Sequence, residues 1–401
     1  MSVMRDMITS QLTVYTYSIV DQLYRSSLDK VINSKKMCLM VKIMHKFSSS
    51  ESLTLDYAKA IGIFFVVLGH YDASVMNLFK PYTFHMPLFF FIGGMTLNYR
   101  KKTSHYLKTI SKSIVLYAAL TYLITGLISE LISKHYSIPV LGNAFISNPI
   151  TTITTAFQYN FANNRLFVVA WFLVAYAIAS TVCFFICKLI YNRGIEGAAA
   201  ILFCAGILLG VFAIDVISPA KASQASNLVV QSLVALMFFM LGNSLRQFIS
   251  VFTSPFIAMM CCVIIYLLRS YGVTSDFIMS ISSYPYGSVI TIAQAACGIY
   301  IVMFMSVAVS GNSCQWLLFI GKRTKSIMSY HILSFILLDI IFYKAGMYSI
   351  QKTDAFTHYK SWFSMPLYVS FAIALPAIAN HLYFSVKNFL KPQSMLNQKS
   401  T

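Results

Sequence analysis

Charge is what this chain has least of. Only 10% of its 401 residues are Asp, Glu, Lys or Arg, and the 30 basic residues outnumber the 12 acidic ones. With 58% hydrophobic residues and a mean hydropathy of +0.69, too little polar surface remains to clothe a soluble domain of this size. The familiar soluble-enzyme fingerprints are missing as well. We find no Walker loop, no dinucleotide-binding glycine pattern, no hydrolase nucleophile elbow and no zinc spacing. The eight cysteines are scattered, and Cys183, Cys187, Cys204, Cys261, Cys262 and Cys297 fall inside apolar runs. Cys183 and Cys187 have no His or acidic companion nearby, so they read as small buried hydrophobes, and neither a metal nor a disulfide is expected. No internal repeat or low-complexity tract is visible, and no apolar segment followed by a small-residue cleavage site opens the chain.

Long apolar runs are present instead. Ten lie at about 57–76, 84–99, 110–131, 166–189, 197–217, 228–245, 251–268, 289–309, 326–343 and 367–389. Each approaches the roughly 20 residues that cross a bilayer as a helix. The expected fold is therefore all-α, a polytopic integral membrane bundle of about ten transmembrane helices. The 25 Tyr and 32 Phe suit interfacial belts and a helix-packed interior. The net charge of +18 does not point to nucleic acid, because the basic residues sit in short loops between apolar runs, where membrane topology is written. Arg100, Lys101, Lys102, Lys108, Lys112, Lys188, Arg193, Arg246, Lys322, Arg323 and Lys325 then lie in cytoplasmic loops, and both termini are expected inside. Residues 1–50 are polar to amphipathic and are expected to be peripheral or poorly ordered, with Met40 or Met44 as alternative starts. Residues 51–392 form the transmembrane domain and 393–401 a polar tail. The longest outer loop, 133–165, carries Asn, Thr and aromatic residues that would suit a sugar-bearing ligand or an ordinary solvated loop.

The most informative stretch is LDYAKAIGIFFVVLGHYDASVMNLFKPYTFHMPLFFFIGGM, from Leu55 to Met95. It places Lys59, His70 and His85 in apolar helices. Ionisable groups at membrane depth cost about 2.5–3.5 kcal/mol or more and face a protein interior or a water-filled cavity. Pro87 is tolerated in the first turn of the second helix, and the short connection brings His85 back to the level of His70. A shared site at that level is expected.

LDYAKAIGIFFVVLGH followed by YTFHMPLFFFIGG resembles the first two membrane helices of the acyltransferase family 3 proteins, in particular the fucose 4-O-acetylase-like branch. Weaker echoes follow at WFLVAYA and IGKRTKSIMSYHIL, so the resemblance extends over roughly Ser52 to Leu390. Lys59 stands where the family usually has Arg, and Gly93 where it usually has Ser. The resemblance implies a membrane-bound O-acyltransferase, most often an O-acetyltransferase, of the bacterial inner membrane. Its donor would be acetyl-CoA or another cytoplasmic acyl-CoA, and its acceptor a hydroxyl of a sugar, polysaccharide or lipid-linked glycan.

Under that reading His70 is the base or acyl carrier, because a His takes a proton near neutral pH. His85 shares its site or braces the turn. Lys59 precedes His70 by eleven residues, close to three whole turns, so the two lie on one helix face about 16 Å apart. That suits a long ligand such as acetyl-CoA lying along the helix, or a Lys reaching the interface beside Asp56. Arg100, Lys101 and Lys102 are candidate clamps for CoA phosphates or topology signals. Glu130, near the outer end of the third span, is a candidate for orienting an imidazole. Asp72 is too close to His70 in sequence to share its face, while Asp215 and Asp339 are expected to pair with interior polar groups. His331 is expected near the cytoplasmic side of its span, bracing the bundle or, as the alternative, touching the cofactor, and Trp171 reads as an anchor or packing residue. The alternative function is a transporter or flippase of a lipid-linked glycan or small substrate with a histidine proton relay, although no inverted repeat supports it.

Overall fold

The computed structural model describes residues 47–72, 80–146, 148–220, 226–274, 278–311 and 314–390. The N-terminal segment and the polar tail expected from the sequence fall almost wholly outside these residues. The described chain is helical throughout, with two isolated β-bridges, Ile278 to Ser283 and Asp354 to Thr357.

Helix α1 spans Ser49–Tyr71. It begins earlier than hydropathy alone suggests because Ser48 and Glu51 form a reciprocal capping box. Ser48 Oγ accepts from the Glu51 amide at 3.2 Å, and the Glu51 carboxylate accepts from the Ser48 amide at 2.7 Å. Two otherwise orphaned N–H groups are thereby satisfied. After a short 3-10 turn at Pro81–Thr83 comes α2, His85–Thr96. The order then runs α3 (Thr103–Tyr136), α4 (Pro149–Gln158), α5 (Ala170–Asn192) and α6 (Ala198–Ile217). It continues with α7 (Asn227–Ser244), α8 (Pro255–Ser270), α9 (Gly287–Ser310), α10 (Gln315–Gly321), α11 (Thr324–Lys344) and α12 (Ser364–Phe389).

Eight of these helices are long and apolar enough to cross a membrane, or nine with one bent pair counted as a span, rather than about ten. The two differences have identifiable causes. The run at 84–99 yields only the 12-residue α2, about 18 Å long, which cannot cross a hydrocarbon core of about 30 Å. His85 to Met95 are all buried, so α2 owes its apolar sequence to enclosure by protein. The run at 251–268 is broken: a 3-10 segment, Arg246–Thr253, meets α8 at 82°. Pro255, whose ring restricts the preceding residue to extended backbone, stands at the corner, and Ser254 Oγ caps the new helix by accepting from the Ile257 amide at 3.4 Å.

The bundle has an inside and an outside. In α7, 83% of the apolar window is buried, against 28% in α3 and 22% in α12. Helix α2 lies against α7 at backbone contact. A Cβ on Gly94 would fall on the Phe239 carbonyl, and one on Gly242 on the Phe91 carbonyl. Small residues allow this approach in membrane bundles. Asn243 seals the contact by donating to the Gly94 carbonyl at 3.3 Å. At the start of α2, Gly298 of α9 leaves room for the Phe84 ring, in the turn leading to His85.

Candidate active site

The last turn of α1 and the first turn of α2 meet at a cavity of about 540 Å³. His70 and His85 both line it, and both are nearly inaccessible, at 8% and 2% exposure. Tyr82 stands between them, its ring 6.0 Å from His70 and 5.0 Å from His85. The shared location expected for the two histidines is therefore what the fold produces. Trp171, Asn160 and Asn227 complete the wall with aromatic and amide groups, so Trp171 faces the cavity.

His85 is oriented by its own turn. Its Nδ1 donates to the Pro81 carbonyl at 2.5 Å, which leaves Nε2 as the acceptor nitrogen of a neutral ring. His331 is fixed in the same way, with Nδ1 donating to the Met328 carbonyl at 2.8 Å. Its ring meets that of His70 edge-on, centroids 4.8 Å apart. His331, expected near the cytoplasmic side of its span, is placed by the fold beside the last turn of α1. His331 belongs to the histidine cluster. On the opposite face of His70 the Phe356 ring stacks at 5.3 Å.

Three ring nitrogens in this region are buried without a protein partner: His70 Nδ1, His331 Nε2 and His358 Nε2. His358 also lies within electrostatic reach of His70. Its own orientation comes from Asp339, which is fully buried. One Asp339 oxygen accepts from His358 Nδ1 at 2.8 Å. The other accepts from the Tyr359 amide at 3.0 Å and from the Tyr368 hydroxyl at 2.5 Å. An uncompensated buried carboxylate would be costly, and these three donors meet its needs. They also tie α11, α12 and the loop between them into one block. Two ion pairs hold that loop further, Lys360 to Asp72 at 2.8 Å and Arg165 to Asp354 at 3.5 Å, with Arg165 on the cavity wall.

Glu130 does not line this cavity and makes no hydrogen bond to an imidazole. Its Oε1 is buried without a partner. The carboxylate that does orient an imidazole is Asp339, on a helix that returns to the site from more than 200 residues later. Lys59 lies away from the cavity, paired with Asp56 at 2.5 Å. Arg100, Lys101 and Lys102 are exposed beyond the end of α2, with the Arg100 guanidinium 5.9 Å from the Tyr99 ring centroid. None of these cations touches the histidine cavity. Among the described residues no group of three or more His, Cys, Asp or Glu side chains is arranged to hold a metal ion.

The far wall of the cavity carries an unusual turn. Asn160 and Phe161, consecutive and neither a glycine, have φ of +52° and +63°. Such conformations cost on the order of 1–3 kcal/mol each and persist where the surroundings impose them. Here Asn160 Nδ2 donates to the Ser280 carbonyl at 2.6 Å, and the Phe161 amide to the Ala156 carbonyl at 2.6 Å. Asn163 and Asn164 then pin the segment to α3 through the Tyr122 hydroxyl at 2.7 Å and the Thr125 hydroxyl at 3.1 Å.

No curated protein and no solved structure matches this chain. The family model for the acyltransferase domain matches residues 53–381, a stretch that contains most of α1, the whole of α2, all the histidines of the cluster and Asp339. On that match, and with eight apolar helices among the described residues long enough to span a bilayer, the chain belongs to acyltransferase family 3 and is a membrane acyltransferase.

Proposed function

We propose that the protein moves an acyl group, acetyl by the family resemblance, from acyl-CoA to a hydroxyl of a sugar, polysaccharide or lipid-linked glycan, and that the histidine cavity is where transfer occurs. The observation that carries this reading is the His70–His331 contact: two buried rings in edge contact, each with one partnerless nitrogen, one of them on the wall of a cavity. His331 holds its Nδ1 proton on the Met328 carbonyl, so its Nε2 is an acceptor. A small rotation would let it take the Nδ1–H of His70. The lone pair of His70 would then reside on Nε2, and the imidazolium formed during reaction would be stabilised.

The chemistry follows from that polarity. The acceptor hydroxyl gives its proton to His70 as its oxygen bonds to the thioester carbonyl carbon. The C–S bond breaks, and the proton passes from His70 to the departing CoA sulfur. The products are an O-acyl ester and free CoA. A base of this kind contributes about 10²–10⁴-fold. His85 Nε2 offers an acceptor for a further hydroxyl of the substrate, and Tyr82, Trp171, Asn160 and Asn227 supply the aromatic and amide surfaces that suit a sugar. Lys59, Arg100, Lys101 and Lys102 are the cations we assign to the anionic end of the donor, which enters from the cytoplasm. Lys59 would exchange its Asp56 partner for phosphate. The setting is the bacterial cytoplasmic membrane, with both termini inside.

The test uses purified protein in nanodiscs with radiolabelled acetyl-CoA, wild type beside His70→Ala. Donor binding by both and CoA release by the wild type alone is the expected result. Absence of donor binding and of CoA release would overturn the reading in favour of transport, and label retained on the wild-type protein would show an acyl-enzyme route.

A further inference from the structure

The loop between α11 and α12, residues 345–363, carries a ring that lies over His70. Its tip is a tight turn. The Asp354 amide donates to the Thr357 carbonyl at 3.2 Å and the Thr357 amide to the Asp354 carbonyl at 3.4 Å, which leaves Ala355 and Phe356 as the two residues between them. Ala355 is fully buried, while Phe356 remains 47% exposed and lines the histidine cavity. Both flanks of the turn are tied down. On one side Arg165 pairs with Asp354. On the other, His358 is held by Asp339 and Lys360 by Asp72, one residue past the end of α1. Three acid–base pairs thus fix a segment of a kind that is ordinarily mobile. What they position is a phenyl ring nearly parallel to the His70 imidazole, at an interplanar angle of 14° and a centroid distance of 5.3 Å.

That ring matters because of what the imidazole lacks. His70 Nδ1 has no protein partner. The ionisable groups that act on it are those of His331, His85 and His358, and among the described residues no carboxylate pairs with it. Asp339 serves His358 instead. A base that takes a proton in this setting becomes a cation with no anion beside it. The face of an aromatic ring is negative and attracts a cation within about 6 Å of its centre, most strongly where water is excluded. The His331 and Tyr82 rings stand at 63° and 59° to the imidazole, so of these three neighbours Phe356 is the one that lies parallel to it.

We infer that Phe356 is a positioning residue for acyl transfer: its ring sets the plane of the His70 imidazole and stabilises the imidazolium that forms when His70 takes the acceptor's proton. The inference rests on the reading above, in which His70 is the base, and deepens it by one residue. The stacked ring favours the charged imidazole over the neutral one. It makes no hydrogen bond to that imidazole, so the proton stays free to pass to the CoA sulfur as the C–S bond breaks. The turn at 354–357 and its three tethers are what a fixed stacking partner requires.

The experiment weakens the negative face of the ring with little change in its shape. In the full chain, in nanodiscs, Phe356 is replaced by mono-, di- and trifluorophenylalanine, and CoA release from acetyl-CoA is followed. Each added fluorine draws charge from the face. A stepwise fall in kcat is expected, to about one fifth with the trifluoro ring, with KM for acetyl-CoA unchanged. Phe356→Leu should lower kcat about tenfold, and Phe356→Tyr, which keeps the face, should stay within about twofold of wild type. A fluorinated series that keeps the wild-type kcat overturns the inference even if Phe356→Leu is slow, because ring size rather than charge would then be at work. A rise in KM with kcat held also overturns it, making Phe356 a substrate surface. In both of those cases His70→Ala still abolishes release and the acyl-transfer reading stands. Release that survives His70→Ala defeats that reading first and takes this inference with it.

Discussion

Helix α1 aligns two ionisable residues on one face, and the fold treats them differently. His70, in its last turn, is 8% exposed and is enclosed by the rings of His331, Phe356 and Tyr82, with a ring nitrogen lacking a partner. Lys59, midway along the helix, is 29% exposed at its side chain and has an acidic neighbour three residues before it. A buried group with unmet hydrogen-bonding capacity costs stability, and such groups are retained where they act. A half-exposed cation with a local partner costs little and can exchange that partner for a ligand. The comparison thus separates a reacting position from a binding position on one helix.

The sharpest way to break it is at the buried position. His70→Ala is expected to lower acyl transfer by about 10²–10⁴-fold while helical content by circular dichroism stays unchanged, and full activity would dissolve the distinction. Next in size is Asp339→Ala. Removing a fully buried carboxylate strands the His358, Tyr359 and Tyr368 donors, and we expect a loss of about 3 kcal/mol, read as a lower melting temperature in detergent. His331→Gln keeps a polar group in place but cannot serve as a second imidazole. A fall in kcat of about tenfold, or ~1.4 kcal/mol in the barrier, with KM held, would mark it as a positioning residue rather than a packing one.

The more exposed position, Lys59, should respond in the opposite parameter. Lys59→Ala is expected to raise KM for acyl-CoA by about tenfold, ~1.4 kcal/mol of binding, with kcat little changed, whereas Lys59→Arg should lower it through the bidentate geometry that Lys lacks. A change in kcat alone for Lys59→Ala would place that residue in the chemistry and erase the contrast between the two positions. The smallest effect belongs to Asp56→Asn, which removes a surface pair worth about 0.2–0.5 kcal/mol and should leave the melting temperature within error.

Part of this site could be read from the chain. His70 and His85 stand within 15 positions of each other in a stretch whose apolar runs and Pro87 announce a tight return, so their meeting follows from local geometry. Lys59 and His70 share a face because eleven residues make three turns, and that too is local. His331 and Asp339 are visible as polar residues in an apolar run, yet nothing local says that α11 packs beside the last turn of α1. His358 carried no signal at all, since its partner Asp339 is reached only after the chain leaves α11 and folds back. Glu130 had the right residue type at the right nominal depth, and packing turned it away from the cavity.

The sequence by itself determined that this is an apolar, helical membrane protein and that α1 carries a Lys and a His along one face. Hydropathy is a sum over neighbours, and helical phase is set by a constant rotation per residue, so both are local properties. Only the tertiary structure decided that α2 is enclosed rather than spanning, that α8 turns away from the 3-10 segment before it, and that Asp339 rather than Glu130 orients an imidazole. An apolar run looks alike whether lipid or protein surrounds it. Which it meets depends on close approaches such as Gly94 against Phe239 and Gly242 against Phe91, made between residues some 150 positions apart, where no periodicity in the chain can report them.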